Sequence, residues 1–569
     1  MVAVAMSGPV KAALRASLRD RFAGLDRPLS VGGGDPPSAG GAKRDWCMAI
    51  GSAVIEQRFD NPRVLLGDRL REGSLYRLLA DHGDRMFGDD YFADLYKRSV
   101  LGRPTIPARV MATVMILQAF EGLSDAEACD RLEVDLRWQA AAGVHAGFAA
   151  FHPTCLVGQR NRLRASDRPR RLFEDTKIAA NQAGVLRHRM RVLDSTPVYD
   201  AVATQDTVTQ LRASIRKLLV VLDRDHRGLA GRVRAALTRD DEYATPGKPV
   251  CDWDDRAARE TLVDALVNDA LAALAVVDGR ELSPQAQDAA ALLALVAGQD
   301  VAEGDDGVFR IVRGVAKNRV ISTVDPEARH GHKSLNRRFD GYKAHLSVDP
   351  DSELIDEVAA TPANTPDRDA VATLIAPLLD QPDRPKVMGD SAYADGATRE
   401  RLDEQGVDLI AKCPPVRNGT GGFTKDQFDV DLAAGTVTCP AEHTVPIRIS
   451  ADGGGKASFK PHCRHCPLRD QCTPSRRGRT ISIHPQEHLL QAARAAQTDP
   501  DWVAQYRADR PTVERKISHF VRRAWGGRKA RVRGRVRVST DIDTRAAALN
   551  WARLATLGLR HQPGGWQIA

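Results

Sequence analysis

The chain has 569 residues, of which 43% are hydrophobic and 27% are charged, and its net charge is +8. This composition is typical of a globular protein with several domains. The longest apolar windows, 110–117 and 289–297, are much shorter than the ~18 residues of a membrane span, and residues 1–20 show no secretory signal. Nine cysteines in such a chain favour burial or metal binding over a disulfide framework. Membrane and secreted classes are therefore excluded, and we expect a cytoplasmic protein.

Helical patterning dominates the N-terminal third. Pro107 begins an apolar 3.6-residue period that Gly122 ends, and Ser124 followed by Glu127 predicts a capping box at the start of a second helix. Two helices joined by a tight turn are typical of a helix-turn-helix, although an ordinary helical hairpin has the same pattern. A group of downstream arginines favours DNA binding: Arg160, Arg162, Arg164, Arg168, Arg170 and Arg171.

Strand patterns indicate an α/β core further along the chain. A short strand is predicted to end at Asp194, and another to end at Asp390. The other predicted elements of this core are an antiparallel hairpin (341–349 and 353–360), a helix (366–380), a helix (394–405) and a strand (407–412). Two insertions interrupt the core, one helical and one rich in cysteine.

The two strand-end aspartates suggest a catalytic crevice, because open sheets bind ligands at the carboxyl ends of their strands. Converging Asp194 and Asp390 carboxylates would form a hard oxygen site for Mg²⁺ or Mn²⁺. Two such ions support phosphodiester cleavage. The alternative is that each aspartate only caps a helix or a turn.

A second cluster contains Cys439, Cys463, Cys466 and Cys472, with three histidines interleaved. The Cys-x-x-Cys pair is half of a structural zinc site, and the other two thiols complete it. The alternative is a set of incidental cysteines. We expect one structural Zn²⁺ in a small zinc-ribbon-like module.

The stretch 507–537 is strongly basic. Twelve Lys and Arg residues face only Asp509 and Glu514, which gives a net charge of +10. A solvated surface would explain some of this charge, but its density favours a phosphate-binding surface. Within it, Val513, Ile517, Phe520 and Ala524 predict a helical stripe, with Pro511 at its start or at a kink and Gly526–Gly527 at its end.

An ordered set of motifs resembles bacterial insertion-sequence transposases of the DDE type that carry a Cys-rich insertion before the catalytic Glu. The N-terminal motifs are GRPTIP (102–107), GLSDAEACDRLEVDLRWQAAAG (122–143) and FHPTCLVGQRNRL (151–163). The core motifs are LDST around Asp194, VDPEARHG (324–331), DGYKAHLSVD (340–349), TPANTPD (361–367) and GDSAYAD around Asp390. The C-terminal motifs are CP at Cys439, CRHCPLRDQC (463–472), YRADRPTVERKISHF (506–520) and AALNWARL (547–554).

The resemblance implies an RNase H-like catalytic core whose acidic triad is Asp194, Asp390 and Glu514. It also implies that the N-terminal helical region contacts the terminal repeats of the element. Related enzymes have a Tyr, Arg, Glu, Lys signature around the third carboxylate. Here Tyr506 lies one position further out, and the Lys position is taken by the neighbourhood of Arg522 and Arg523.

The third carboxylate is the least constrained of the three, because Glu400, Glu404 and Glu487 compete with Glu514. Glu514 borders the apolar stripe and is the only Glu in the basic stretch, so it is the predicted ligand. The predicted DNA-binding residues are Tyr506, Arg507, Arg510, Lys516, Arg522, Arg523, Arg531, Arg533 and Arg535.

The resulting fold prediction is an α/β protein with an interrupted RNase H-like core. Its predicted regions are a flexible leader (1–45), a helix-turn-helix-like DNA-binding region (46–190), the core (191–203 and 313–412), a helical insertion (204–312), a Cys-rich insertion (413–500) and C-terminal core helices with the basic segment (501–569).

The predicted function is metal-dependent DNA transposition by cleavage at the element's ends and strand transfer into target DNA, with two Mg²⁺ or Mn²⁺ ions. The predicted partners are double-stranded DNA, as inverted-repeat ends and as target, and a second copy of the chain in a homodimer on nucleoid DNA. The alternatives are a two-metal DNA nuclease without strand transfer and an inactive DNA-binding relic. A zinc hydrolase is disfavoured because four Cys ligands leave no open position.

Overall fold

The computed structural model of the protein describes most of the chain. The described residues are 60–96, 104–186, 190–241, 243–334, 336–379, 384–522 and 527–568. The predicted leader, Cys47, Arg523, Ala524 and Gly526 lie outside them. The described chain is a mixed α/β protein with many helices and several sheets, as expected.

The described residues of the N-terminal part form seven α-helices. They are α1 (Pro62–Leu66), α2 (Leu75–Met86), α3 (Ala108–Glu121), α4 (Asp125–Val134), α5 (Leu136–Ala142), α6 (Thr154–Arg164) and α7 (Arg171–Gln182). The predicted hairpin is confirmed: Gly122 ends α3 with φ of 76°, and Ser124 and Glu127 form the capping box of α4. However, α3 is buried all round instead of along one stripe, because it packs against α2 and α5 and also against the C-terminal helix of the chain.

The central sheet contains β1 (Met190–Tyr199), β4 (Arg329–Ser334), β5 (Arg337–Val348), β6 (Ile355–Pro362), β7 (Lys386–Gly389) and β8 (Asp408–Ala411). Strand β5 is antiparallel to β1 on one edge, and on its other edge it pairs first with β4 and then with β6. Strands β1, β7 and β8 are parallel. Helices α12 (Val371–Leu379) and α13 (Gly396–Glu404) accompany the parallel strands.

Strand β1 is longer than the sequence predicted. The prediction that it ends at Asp194 is wrong, because residues Ser195–Tyr199 continue to pair with β5. Its pairing with β7, in contrast, stops at Val192. Asp194 therefore lies at the end of the parallel pairing and not at the end of the strand.

The segment between β1 and β4 forms a helical unit with its own hydrophobic core. It consists of α8 (Thr207–Asp225), α9 (Arg227–Ala236), α10 (Arg256–Val277), α11 (Pro284–Gln299) and a short hairpin of β2 (Val301–Glu303) and β3 (Phe309–Ile311). The predicted helices are confirmed, whereas the hairpin was not predicted because each of its strands has only three residues.

The cysteine-rich segment is an antiparallel sheet in which each strand pairs with the next. Its strands are β9 (Asp429–Asp431), β10 (Thr436–Thr438), β11 (Thr444–Ile449), β12 (Gly455–Ser458) and β13 (Thr480–Ile483), with the short helix α14 (Arg469–Cys472) before β13. Phe428, Val437, Ala457 and Phe459 are among its buried residues.

The C-terminal part returns to the central sheet. It contains α15 (Glu487–Ala496), α16 (Pro500–Val521), α17 (Arg535–Thr556) and a hairpin of β14 (Leu559–Gln562) and β15 (Gly565–Ile568). The predicted stripe of Val513, Ile517 and Phe520 is buried, but the helix that carries it begins at Pro500 and runs through Pro511. Helix α17 joins the parts by packing against β6, α3 and α7. The described 3₁₀ helices are Gly67–Arg69, Asp89–Leu95, Asp367–Ala370, Ser391–Tyr393, Lys425–Gln427 and His462–Arg464.

Candidate active site

Asp194 and Asp390 lie side by side on neighbouring strands. The last parallel pair of β1 and β7 joins Val192 to Met388, and each aspartate is two residues further along its strand direction. Residues two apart in a strand face the same side of the sheet, so both carboxylates face the side that α16 covers. Burial raises the pKa of Asp390, and the charge of Asp194 adds to this rise. The structure thus brings together the two aspartates predicted from sequence.

Arg510 of α16 binds this pair. Its Nη2 donates to Asp194 Oδ2 at 2.9 Å, and the backbone N–H of Ser195 donates to Asp194 Oδ1 at 2.7 Å. The Arg510 side chain is only 11% exposed. Burial alone would lower the pKa of Arg510, but the charge and hydrogen bond of Asp194, together with the nearby Tyr506 and Asp390, outweigh burial, and the pKa is raised. Arg510 is therefore a fixed cation within the acidic site.

Glu514 contacts Arg510, which in turn binds Asp194. It is four residues further along α16, its side chain is 63% exposed, and its Oε1 is 3.6 Å from Arg510 Nη1. Asp390 also experiences the Arg510 charge, which lowers its pKa against the larger effect of burial. The three predicted carboxylates are thus arranged around one guanidinium.

Two of the three competing glutamates, Glu487 and Glu400, have other partners. Glu487 is buried and forms ion pairs with Lys425 and with Arg494, the second at 3.1 Å. Glu400 accepts a hydrogen bond from the Gln486 amide at 3.0 Å. Glu487 serves the packing of the Cys-rich sheet, since its carboxylate is already neutralised there.

The donor chemistry of this site suits a hard divalent cation, because the donors are carboxylate oxygens that already hold one cationic group. Nevertheless, no three His, Cys, Asp or Glu side chains of the described residues are arranged as a ready-made metal site. Arg510 explains this for the acidic site, since its guanidinium lies against the carboxylates that would hold a metal.

A polar network that sequence reasoning missed lies behind the two aspartates. Ser195 Oγ donates to Asp367 Oδ2 at 3.1 Å, and Lys343 Nζ lies 2.7 Å from Asp367 Oδ1. The Tyr393 hydroxyl, three residues after Asp390, contacts His345 Nδ1 at 3.0 Å. These residues fall within the motifs that carry the family resemblance. Those motifs were the sequence signal that could have identified them. Their contacts depend on strand pairing that the sequence does not specify.

His345 gives this network a pH dependence. Complete burial lowers its pKa to about 4, below its ordinary value of 6.5, so the imidazole is neutral in the folded protein. The unfolded chain takes up a proton first as the pH falls, so the stability contribution is present above 6.5 and is lost towards 4. Between about pH 7 and pH 4, the free energy of unfolding should fall by about 3 kcal/mol more in the wild type than in His345→Gln. Urea unfolding at both pH values measures this, and equal losses would contradict the assignment.

The predicted DNA-binding residues fall into two groups. Arg507, Arg522 and Arg533 are exposed. Tyr506 and Lys516 are buried instead, because both lie on the side of α16 that packs against the protein. Tyr506 stacks on Trp502 with ring centroids 5.1 Å apart.

The remaining members make contacts within the protein. Burial lowers the pKa of Lys516 to about 8, and its ammonium is 3.9 Å from Glu353. Arg535 pairs with Glu327 at 3.4 Å, and the Arg531 guanidinium donates to the carbonyl of Leu123. The basic segment therefore packs on the core and on the helical hairpin.

The four predicted zinc-binding cysteines line one small cavity of about 20 Å³ in the Cys-rich sheet. The backbone N–H of Arg479 points at Cys463 Sγ at 3.4 Å. Burial raises the pKa of the Cys472 thiol, and the other three thiols are close enough to affect it. The described cysteines are all free of disulfides. The four thiols, from separate turns of the chain, are thus brought to one point, although not in a ready-made metal geometry.

Two families of known proteins match parts of the chain. Residues 438–555 match the family described as Transposase DDE domain, and residues 64–162 match the family described as Transposase domain (DUF772). No curated protein and no solved structure gives a significant match. Among the described residues, none of the helices combines the length and apolar character needed to cross a bilayer. The two family matches support an insertion-sequence transposase, with a domain of an enzyme that acts on DNA.

Proposed function

We propose that this protein is a DNA transposase that cleaves the ends of its insertion sequence and transfers them to target DNA. The observation that carries the proposal is the placement of Asp194 and Asp390 at the same level of two parallel strands, with Arg510 and Glu514 above them on α16. The strand arrangement, an antiparallel hairpin beside β1 followed by parallel β7 and β8, is compatible with the expected RNase H-like core.

In this proposal, Asp194, Asp390 and Glu514 hold two Mg²⁺ or Mn²⁺ ions. When bound, these ions would activate water or a DNA 3′-OH and would stabilise the leaving oxygen. When DNA binds, the Arg510 guanidinium releases the Asp194 carboxylate and binds a DNA phosphate. A guanidinium forms paired hydrogen bonds with either group. Ser195 and the Asp367 network fix the strand that carries Asp194, and the exposed Arg507 and Arg522 hold the DNA backbone.

The Cys-rich sheet stabilises this site indirectly, through the helices that follow it in the chain. We propose that Cys439, Cys463, Cys466 and Cys472 hold one structural Zn²⁺. The contact from the Arg479 N–H to Cys463 Sγ supports a ligand role for this sulfur, because hydrogen bonds from surrounding groups orient metal ligands. The sheet is followed directly by α15 and α16, so a stable sheet fixes the start of the helix that carries Arg510 and Glu514.

Cleavage of element-end DNA tests the proposal. We expect cleavage of a duplex that contains the DNA flanking the gene to require Mg²⁺ or Mn²⁺, whereas Ca²⁺ should support binding without cleavage, because the predicted ligands are all oxygens. Asp194→Asn and Asp390→Asn should be inactive while they retain DNA binding. Gel analysis measures product, and full activity in excess chelator would overturn the metal assignment.

Strand transfer separates the transposase from the nuclease alternative, which shares the same carboxylates. Incubation of pre-cleaved ends with a supercoiled plasmid should give joined products with wild-type protein and none with Asp390→Asn. Cleavage without joining would support the nuclease, and binding without either would support the relic. A footprint with two copies of the chain on paired ends would support the proposed homodimer.

A further inference from the structure

A large basic cleft lies away from the three carboxylates. Its volume is about 910 Å³, and its walls come from the helical hairpin α3–α4, from α6, from residues 529–532 and from the first three turns of α17. The C-terminal wall is held in place because Lys529 bridges to Tyr199 at the end of β1, and the Ala530 N–H donates to the Tyr199 carbonyl at 2.7 Å. The cleft thus joins segments that are about 400 residues apart in the chain.

Cationic side chains dominate the walls of the cleft. The cations are Arg160, Arg164, Lys529, Arg531 and Arg537, and the acids are Asp125, Glu127 and Asp541. Each acid already has a partner: Asp125 pairs with Arg160, Glu127 accepts from the Ser124 N–H at 2.7 Å, and Asp541 pairs with Arg545. Asp541 is offset by Arg545 from outside the lining, and Asp125 is offset by Arg160 within it. The remaining cations of the lining, Arg164, Lys529, Arg531 and Arg537, face only the Glu127 carboxylate, so the cleft has a cationic excess.

The arginines are held close together despite their like charges. Burial, with repulsion from Arg537 and Arg160, lowers the pKa of Arg164 to about 10. Burial and the neighbouring Arg160 also lower the pKa of Arg531. An anion in the cleft would relieve this repulsion and satisfy several guanidinium groups at once.

The shape and lining of the cleft indicate which anion it fits. Among the described residues that line it there is no Phe, Tyr, Trp or His, so the walls offer no ring on which a base could stack. Guanidinium groups without aromatic partners are typical of contacts to the sugar–phosphate backbone. Lys529 of the lining is exposed, and the exposed Arg533 adds a further cation in the same segment.

We propose that this cleft binds backbone phosphates of duplex DNA, with Arg164 of α6 and Arg537 of α17 as paired contacts from the two walls. This inference rests on the proposed function, and it assigns one stretch of DNA jointly to the N-terminal hairpin and to the C-terminal basic segment. In the free chain, Arg164 and Arg537 are half-buried and face the same space.

The salt dependence of DNA affinity tests the proposal. The probe is a 30-bp duplex of random sequence, and its binding to the full-length protein is measured by fluorescence anisotropy over a range of salt concentrations. Each phosphate contact adds about −0.9 to the slope of log K against log salt. The double variant Arg164→Ala/Arg537→Ala should therefore lower the magnitude of the slope by about 2 and weaken binding at least about tenfold.

Two further variants distinguish a phosphate contact from a structural role. Arg164→Lys/Arg537→Lys keeps both charges and should restore most of the slope. Arg227→Ala/Arg232→Ala, on α9 of the helical unit outside the cleft, removes two exposed charges and should leave the slope unchanged. An unchanged slope in the cleft alanine variant, with unchanged thermal stability, would overturn the proposal. A slope lost in the lysine variant as well would also overturn it, in favour of a packing role.

Two further measurements, cleavage of element-end DNA and binding of ATP, distinguish the remaining possibilities. If the alanine variant loses slope but no form of the protein cleaves element-end DNA, the cleft is supported and the transposase assignment fails. If the wild type cleaves and the slope does not change, the cleft proposal fails alone. Micromolar binding of ATP that disappears in the alanine variant would identify a nucleotide site and overturn the duplex assignment.

Discussion

Glu514→Gln is expected to reduce cleavage of element-end DNA by about a thousandfold and to leave DNA affinity nearly unchanged. The substitution keeps the size of the side chain and removes one anionic ligand, and the stabilisation that a bound metal gives to the reaction is worth several kcal/mol. Because the Glu514 side chain is 63% exposed and its only ion pair among the described residues, with Arg510, is long at 3.6 Å, the loss should not destabilise α16.

The matched control is Glu404→Gln on α13, which removes an exposed carboxylate on the helix after Asp390. It should retain most of the activity. Glu487→Gln should lower thermal stability instead, because it breaks the buried pairs with Lys425 and Arg494. Normal cleavage by Glu514→Gln together with an inactive but stable Glu404→Gln would show that the third carboxylate has been assigned to the wrong helix.

Cys463→Ser is expected to abolish zinc binding. Wild-type protein purified under reducing conditions should contain one zinc per chain, and the variant should contain none after dialysis, because a hydroxyl cannot replace a thiolate ligand in a four-sulfur site. Limited proteolysis should then cut the variant within 413–500, since binding of a structural zinc is worth about 10 kcal/mol or more to such a small unit. Mass spectrometry of the fragments locates the cuts.

Cys251→Ser is the control for this change. Cys251 is a free cysteine in the helical unit between β1 and β4, where its thiol donates to the carbonyl of Asp252 and its side chain packs against the hydrophobic core of that unit. The zinc content and the proteolysis pattern of this variant should match the wild type. Wild-type protein without zinc would contradict the assignment, and zinc retained in Cys463→Ser would point to His443 or His462, which line the same cavity.

The sequence predicted local features well where one short signal determines them. Gly122 ends α3 and the Ser124 side chain caps α4, because both effects depend only on neighbouring residues. The strand ending at Gly389 was found for the same reason, since its apolar run stops at Asp390. The length of β1 was missed because Ser195 to Tyr199 are held by β5, a strand about 150 residues away.

The candidate site was predictable in its residue types but not in its contacts. The acidic positions were predicted from apolar runs that stop at an aspartate, from the apolar stripe beside Glu514 and from the resemblance, whereas the placement of Arg510 against Asp194 depends on how α16 packs over the sheet. Lys516 was assigned to DNA from its charge alone, but it lies beside Ile517 on the packed side of α16 and is 4% exposed. Charge patterns indicate a basic segment, and only tertiary packing decides which of its members face solvent.

The position of Arg510 also bears on how the proposed metal sites of this protein would be filled. Three carboxylates brought together with no counter-charge would repel one another and oppose folding. Because the Arg510 guanidinium lies between these carboxylates, the central sheet can fold before any divalent ion binds. The two proposed metal sites would then differ in kind: chelation during synthesis should leave the central sheet folded and able to bind ions later, whereas the thiol-lined sheet would have to acquire its proposed ion as it folds.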